Sequence, residues 1–485
     1  MQTALGLLAV ALLALVFADI EITTRHPWQE LGRMGHGLLA PAWLPWRELL
    51  DALAQTLAYA LLAVALAGVA GLGLSLLFRW RAVRMTCAAL RSVHELFWGL
   101  LFMQWLGIHP AAGLLAIALP YTGVFAKVYA ELAEEHRHDA SPVLPRRADA
   151  GSRYAYGLWP RLLPHLWSYS LYRLECGLRS STVLGFIGLP TLGFHLETAF
   201  MQGEYAMAGG ILLVFYGLIL CIRHWARPRL WLVYLPLAAL YLWPDRGADW
   251  GLLATLLGDM VPAPVASGDA GASAQWLWEV GRDQMLPGAW NTLLVTQVAL
   301  AGAGLIALLG FPLIARPFLP APLRWGGHLL LVVLRSTPEL ILAFAALLLW
   351  GPSMLPAIVA LAIHNGAIIA HLSGRYADQL PVLNPAPMRA IDRYGFEVLP
   401  RIWGQLLAFL CYRWEIILRE SAILGILGIH TLGFYIDSAF EAFRLDVAMA
   451  LILATALLNI GVDALSRGLR QRLHLNSTPE ARTPC

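Results

Sequence analysis

YRLECGLRSSTVLGFIGLPTLGF, running from Tyr172 to Phe194, returns as YRWEIILRESAILGILGIHTLGF, Tyr412 to Phe434, with 13 of 23 positions identical at an offset of 240. Upstream, LRSVHEL (Leu90 to Leu96) is matched by LRSTPEL (Leu334 to Leu340) at an offset of 244. Between these lie YGLWPR (Tyr156 to Arg161) and its partner YGFEVLPR (Tyr394 to Arg401). The three motifs keep their order, so the chain is two copies of one unit of roughly 240 residues. A period that long marks a duplicated domain, not a short-repeat solenoid.

The 485 residues are 59% hydrophobic and only 13% charged, about half the charge of an ordinary soluble protein. Apolar runs of bilayer length, which need about 20 residues each, recur throughout. They predict an all-α membrane protein of about 12 transmembrane helices. In the first copy the spans fall near 3–19, 52–78, 94–108, 111–131, 165–190 and 205–222. The second copy gives 229–243, 287–314, 326–350, 354–374, 403–428 and 445–464. The division expected is 1–225 for the first repeat, 226–285 for a linking helix and extracytoplasmic loop, 286–465 for the second repeat core, and 466–485 for a polar tail.

Arginine is concentrated in alternate loops, and basic loops stay on the cytoplasmic side. Arg79, Arg81, Arg84, Arg137, Arg146, Arg147, Arg153, Arg223, Arg227, Arg229, Arg316, Arg324, Arg375, Arg389 and Arg393 then lie inside, with both termini. The 244–285 segment, with Asp245, Asp249, Asp259, Asp269, Glu279 and Asp283, lies outside. Six spans per copy is an even number, so the copies insert with the same polarity and are related by an axis along the membrane normal. The first helix lacks the basic leader and small-residue cleavage site of a signal peptide and is read as a retained span.

The chain holds one lysine, Lys127, followed by Val128. A phosphate-binding P-loop needs Gly-Lys-Ser/Thr, so an ATP site is not expected in this polypeptide, nor is any enzymatic activity. The five cysteines show neither disulfide nor zinc spacing, so no metal or other cofactor is expected. A net charge of +3 suggests lipid headgroups rather than nucleic acid as the partner of the basic loops.

Ionisable residues inside membrane segments are functional candidates. Arg91, just before the span at 94–108, and Glu95, Arg173, Glu175, Arg179, Arg335, Glu339, Arg413, Glu415 and Arg419, within predicted spans, are such candidates, and Glu420 has no counterpart in the first copy. Glu175–Arg179 and Glu415–Arg419 have the spacing and order that favour an ion pair along one helix face. Such pairs either tie helices together or line a pathway, and the two roles are compatible. Ser92-x-x-Glu95 and Ser336-x-x-Glu339 each read as a capping box; the second follows an apolar run, which predicts a helix broken inside the membrane. Loops of roughly thirty residues, 132–161 and 375–402, separate the fourth and fifth spans and end in Tyr-Gly elements before Pro160 and Pro400.

Tyr156-Gly157-Leu158-Trp159-Pro160-Arg161, Tyr172-Arg173-Leu174-Glu175, Arg179-Ser180, Arg91-Ser92-Val93-His94-Glu95-Leu96 and Ala118 to Lys127 resemble the permease subunit of phosphonate-type ABC importers, here with two units fused. The resemblance covers about 85–222 and 325–464. It implies a type I importer permease fold in a bacterial inner membrane, with phosphonate or a related phosphorus oxyanion as the solute. It further implies two copies of a cytoplasmic ABC ATPase, which would bind the ATP, and an extracytoplasmic substrate-binding protein. By similarity the inner loops are coupling loops, with Tyr156, Gly157, Pro160, Arg161, Tyr394, Gly395, Pro400 and Arg401 facing the ATPase. The family's Glu-Ala-Ala-x-x-x-Gly coupling signature is absent from both copies, replaced by Ala148-Asp149-Ala150-Gly151 and Ala390-Ile391-Asp392. A secondary transporter with two parallel six-helix halves, or an ABC permease for another small solute, is the alternative.

Overall fold

The computed structural model describes residues 2–24, 27–136, 149, 152, 156, 159–243, 250–381 and 388–472. Regular structure among the described residues is helical throughout. Two compact units divide the chain. Among the described residues the N unit runs from Gly37 to Ala254, and the C unit takes those up to His36 and from Thr255 on. The chain begins with α1 (Gln2–Phe17) and α2 (Pro27–Leu39).

The N unit holds α3 (Trp46–Leu76), α4 (Arg81–Ser92), α5 (Glu95–Leu106), α6 (Pro110–Glu135), α7 (Trp159–Phe186), α8 (Leu192–Met201), α9 (Tyr205–Leu220) and α10 (Pro228–Tyr241). The 31 residues of α3, rich in the helix formers Ala and Leu, reach about 46 Å. Pro110 opens α6 where a missing N–H costs nothing, and His109 Nδ1 accepts from the Ala111 amide at 3.0 Å. α3 and α6 pack along their length, and α10 also packs on α3. Tyr241 on α10 donates its hydroxyl to the Asp51 carboxylate, and Trp231 meets Trp167 of α7 at 5.2 Å between ring centroids.

The C unit follows the same plan: α11 (Ala270–Val280), α12 (Leu286–Gly310), α13 (Ala321–Ser336), α14 (Glu339–Trp350), α15 (Met354–Gln379), α16 (Leu399–Ile423), α17 (Leu432–Glu441) and α18 (Leu445–Arg472). α12 and α15 pack as α3 and α6 do, and α1 lies on α12. The segment after α1 is held in the same unit, because Thr23 N donates to Trp350 O at 2.9 Å and Met354 N donates to Asp19 O at 2.9 Å. α1 falls within the expected first repeat, 1–225, yet it packs in the C unit on α12.

The 23-residue motif builds one corner twice. Gly188 and Gly428 take positive φ, +78° and +81°, a conformation cheap only for glycine. Beyond each, a buried threonine from the first core helix meets the next helix start: Thr56 Oγ1 accepts from Leu192 N at 2.9 Å, and Thr292 Oγ1 from Leu432 N at 3.0 Å. A Cβ on Gly185 or Gly425 would run into the backbone of Phe194 or Phe434. That close approach is why the motif keeps its glycines.

Among the described residues, five helical stretches are long and apolar enough to cross a membrane, and seven if each of two bent pairs counts as one span. The chain is therefore a multi-pass helical membrane protein. The bent pairs are α13 with α14, turned through 90°, and the α16 stretch with α17, turned through 47°. The expected span at 94–108 contains only the 12-residue α5, about 18 Å long and too short to cross alone. The 226–285 link carries α10 and α11, and α11 continues through a π-helical turn at Gly281–Met285 into α12. The resulting helical run, Ala270–Leu313, is 44 residues long.

Candidate functional site

Each unit gathers buried polar side chains beside a helix break. In the N unit α4 gives way to α5 at Val93 and His94, both extended. Gly123 of α6 lies against the backbone of Cys87 and Arg91, which brings α4 close to α6 and buries Arg91. Ser180 Oγ donates to Glu95 Oε1 at 2.7 Å, and Tyr121 OH lies 3.1 Å from Ser180 Oγ. Arg173 Nε donates to Tyr169 OH at 2.8 Å. Its guanidinium carbon stands 5.6, 5.2 and 5.4 Å from the rings of Tyr121, Tyr169 and Tyr172. A desolvated cation over an aromatic face gains about 2 kcal/mol, and three faces offset part of the cost of burying this arginine.

In the C unit the break falls at Thr337 and Pro338. Asn365 Nδ2 donates to Glu420 Oε2 at 2.9 Å, and Arg413 Nη1 donates to Asn365 Oδ1 at 3.4 Å. Arg413 and Glu420 are both buried, 7% and 8% exposed. The amide of Asn365 thereby connects a buried cation to a buried anion. Glu95, Tyr121, Arg173 and Ser180 occupy the repeat positions of Glu339, Asn365, Arg413 and Glu420.

A histidine stands beside the break glutamate in both units, reached by different routes. His94 Nδ1 accepts from Leu96 N at 3.2 Å, while its Nε2 is 3.7 Å from Glu95 Oε2. The equivalent of His94 is Pro338, and the equivalent of Pro120 is His364. His364 Nδ1 lies 3.0 Å from Thr337 O, and its Nε2 is 3.9 Å from Glu339 Oε2. Histidine and proline have changed places, and the imidazole still faces the same carboxylate.

No family model and no solved structure matches the chain. Curated relatives do. The chain is similar to the phosphate-import permease protein PhnE of Mycolicibacterium smegmatis, with 30% identity over 431 residues, 81% of this chain and 77% of that protein. It is similar to the phosphite transport system permease protein PtxC of Stutzerimonas stutzeri, 33% identical over 138 residues, 28% of this chain and 50% of that protein. A permease of Escherichia coli (strain K12) named for a cryptic phosphonate transport system is 32% identical over 104 residues, 21% of this chain and 84% of that protein.

The chain belongs to the phosphonate-type permease family of ABC importers.

Within this permease the sequence-predicted pathway residues divide. Glu95 and Arg173 join the N cluster, and Arg91 is buried next to it; Arg413 joins the C cluster, and Glu339 lies at the break beside His364. Glu175 is buried, whereas Arg179, Arg335, Glu415 and Arg419 are partly exposed. Arg179 Nη2 donates to Cys176 Sγ at 3.4 Å. The capping boxes are a correction. Ser92 and Ser336 are the last residues of α4 and α13, and Ser92 Oγ donates to Ala89 O at 2.7 Å within its own helix. Glu95 and Glu339 open the next helix rather than sitting three residues into it, so the box geometry cannot form. His94 supplies the N-cap instead, and Pro338 caps α14 without a side-chain bond. Sequence reasoning assigned no role to Tyr121, Ser180, Asn365 and His364; aligning α6 with α15, both 26 residues long, pairs Tyr121 with Asn365 and Pro120 with His364, and the 23-residue motif already pairs Ser180 with Glu420.

The segments expected to be coupling loops are described mainly in the C unit. Tyr394 stacks on Phe311 at 5.3 Å and 16°, and its hydroxyl donates to Leu308 O at 3.2 Å. Arg401 Nη1 donates to Pro381 O at 2.9 Å, and Pro400 sits in the first turn of α16. Ile391 and Phe396 are exposed, 76% and 83%. Gly395 lies in the π-helical turn Arg393–Val398, with open space where a Cβ would project and no positive φ. Gly395 thus adopts a backbone conformation open to any residue. In the N unit Tyr156 is exposed, Pro160 lies in the first turn of α7 with exposed Arg161 beside it, and Gly157 lies outside the described residues.

Proposed function

We propose that the chain forms the whole transmembrane pathway of an ATP-driven importer for phosphorus oxyanions, of the phosphonate, phosphite or phosphate class. The observation behind this reading is the recurrence of a buried arginine, Arg173 or Arg413, within a polar cluster beside a helix break in each repeat. Guanidinium groups suit phosphoryl oxygens because their donors form a fixed fork. The names of the relatives point to the same class of solute.

In this reading the chain has about twelve spans in two parallel repeats, and both termini are cytoplasmic. Tyr156, Gly157, Pro160 and Arg161, with Tyr394, Gly395, Pro400 and Arg401, face two copies of an ATPase. The exposed Ile391 and Phe396 supply the apolar knobs that such docking needs. A separate extracytoplasmic protein delivers the solute, and no cofactor is held by this chain. Arg91, Glu95, Arg173, Glu175, Arg179, Arg335, Glu339, Arg413, Glu415 and Arg419 border the pathway.

The test is uptake of radiolabelled phosphate, phosphite and methylphosphonate in a host stripped of its own transporters. The host expresses this chain with ATPase and binding-protein subunits from the same genome. Uptake of one of the three that requires ATPase activity is expected. Absence of uptake of all three, with the assembled complex present in the membrane, overturns the reading. Native mass spectrometry of that complex is expected to give one permease chain to two ATPases.

A further inference from the structure

The corner where α3 turns into α4 carries three arginines within six residues, Arg79, Arg81 and Arg84, all of them exposed. Phe78 N donates to Ser75 O at 3.2 Å and Trp80 N to Leu77 O at 3.0 Å, which turns the chain into α4. Arg84 N then donates to Trp80 O at 3.1 Å, and its Nη1 to Arg79 O at 3.2 Å, so its guanidinium folds back over the turn that holds Arg79. Arg81 and Arg84 are three apart on α4 and neighbours on its surface. Apolar side chains are interleaved with them: Leu76, Trp80 and Met85 are 58%, 53% and 71% exposed.

Among the described residues none of these three arginines has an ion-pair partner. The first turn of α4 holds no acid, so the cations stand at the positive end of the helix, against the preference of its dipole. The corner of the C unit between α12 and α13 is built differently. There Arg316 N donates to Asp378 Oδ1 at 2.6 Å, and Arg316 Nε lies 3.9 Å from Asp378 Oδ2. At the offset of 244 the position of Asp378 is Glu134, exposed at the end of α6. Arg81 and Met85 correspond to Trp325 and Leu329, both exposed. The C corner thus neutralises an arginine internally and presents apolar side chains, whereas the N corner presents uncompensated positive charge beside a tryptophan. At about 46 Å, α3 is longer than the hydrocarbon core of about 30 Å, so its ends reach headgroup depth. Tryptophan settles at that depth, and arginines there attract anionic headgroups.

We propose that Arg79, Arg81 and Arg84, with Trp80, form a binding site for the headgroup of an anionic phospholipid such as phosphatidylglycerol. The orientation proposed above puts it in the cytoplasmic leaflet. The guanidinium groups donate to the phosphodiester oxygens, Trp80 lies at the level of the glycerol, and Leu76 and Met85 meet the acyl chains. The apolar side chains select a lipid over a soluble anion, which has nothing to offer them. They also continue a lipid-facing surface: Val69, 74% exposed, lies two turns before Leu76 on the same face of α3.

The experiment is photolabelling of the purified full chain in phosphatidylcholine nanodiscs. These carry a trace of phosphatidylglycerol with a photoreactive group near its headgroup or, as control, phosphatidylcholine with the same group, and the labelled peptides are identified by mass spectrometry. Labelling of 76–85 by the phosphatidylglycerol probe is expected to exceed labelling by the control and to be displaced by unlabelled phosphatidylglycerol. It is expected to fall about fivefold in Arg81→Gln, the share of one interfacial arginine, and to the control level when Arg79, Arg81 and Arg84 are all changed to Gln. Arg316→Gln, at the corner closed by Asp378, is expected to leave it unchanged. Should the triple variant fail to assemble, Arg81→Gln, a single exposed position, decides alone. Equal labelling by the two probes, or unchanged labelling in Arg81→Gln, overturns the site. Displacement by inorganic phosphate as effectively as by phosphatidylglycerol overturns the lipid assignment. Loss of the labelling when ATPase subunits are added overturns it as well, because the corner then faces protein.

Discussion

In the N unit the break glutamate, Glu95, is met by the hydroxyl of Ser180, which Tyr121 OH contacts in turn, and the buried arginine is surrounded by tyrosine rings. In the C unit the same positions hold a second carboxylate, Glu420, and an amide, Asn365, which connects that carboxylate to Arg413. One half solves the burial of a cation with aromatic faces, the other with a relayed ion pair. Duplication kept the arginine and the break and let the way of stabilising them diverge. The four positions are thus constrained as a set, and substitution at one is felt through the others.

The largest effect is expected from removing the arginine. Arg413→Leu leaves Asn365 without its donor and Glu420 without the cation behind it. Breaking a buried charge pair costs about 3–5 kcal/mol, so both membrane abundance and uptake are expected to collapse. Arg173→Leu removes cation–π contacts of about 2 kcal/mol or less apiece, while Glu95 keeps the Ser180 hydroxyl. It is expected to lower uptake while sparing most of the protein in the membrane. Quantitative immunoblots and initial uptake rates on the two variants decide the matter. A larger abundance loss for Arg173→Leu would reverse the comparison.

Next in size is the extra carboxylate. Glu420→Ser gives the C unit the side chain found at position 180. It removes a hydrogen bond to a charged group, worth about 1.5–3 kcal/mol. Uptake is expected to fall at least about tenfold, the lower end of that range at about 1.4 kcal/mol per decade. Glu420→Gln keeps an acceptor for Asn365 and should preserve abundance while still lowering uptake. Full transport by both variants would mean that the second carboxylate is dispensable and the two clusters are equivalent.

Much of this difference was legible in the chain, and part was not. The repeated motifs exposed the paired arginines and the shared corner, because internal identity survives wherever a tight corner forbids change, as at Gly185 and Gly425. The break at Thr337 and Pro338 was legible too, since proline and a charged residue interrupt an apolar run. The partners were hidden because they have diverged: Tyr121 against Asn365 and Ser180 against Glu420 share no chemistry that a motif search would keep. Ser92 and Ser336 misled for a local reason. A Ser-x-x-Glu spacing fits a cap only if the serine precedes the helix, and here it ends the previous one. The packing of α1 on α12 lay beyond sequence order altogether, because apolar helices do not announce which neighbour they cover.

The exchanged histidine sharpens the comparison further. His94→Pro alone should remove an N-cap worth about 1 kcal/mol, with a several-fold fall in uptake. Adding Pro120→His rebuilds in the N unit the arrangement that Pro338 and His364 have in the C unit. The double variant is expected to recover most of the lost uptake. If it transports no better than the single variant, the histidine beside Glu95 serves only as a cap, and its likeness to His364 has no functional content.

The smallest effect is expected at Gly395, in the C-unit segment proposed to face the ATPase. Its neighbours are anchored: Tyr394 stacks on Phe311 and bonds to Leu308 O, and Arg393 lies against Glu397. Gly395 itself is helical, with no atom within 4 Å of a built Cβ and no positive φ. Alanine there loses no backbone conformation and gains about 0.5–1 kcal/mol of helix preference. Gly395→Ala is therefore expected to leave abundance unchanged and uptake within about twofold, because 0.5 kcal/mol is about a factor of two in an equilibrium. Tyr394→Ala, which removes the anchor, is the contrasting control and should reduce uptake more. A sharp fall in uptake for Gly395→Ala at unchanged abundance and unchanged ATPase activity would have a different cause. The ATPase surface would then have to approach the glycine so closely that a single methyl group separates the two, and the open space at Gly395 would be the docking contact itself.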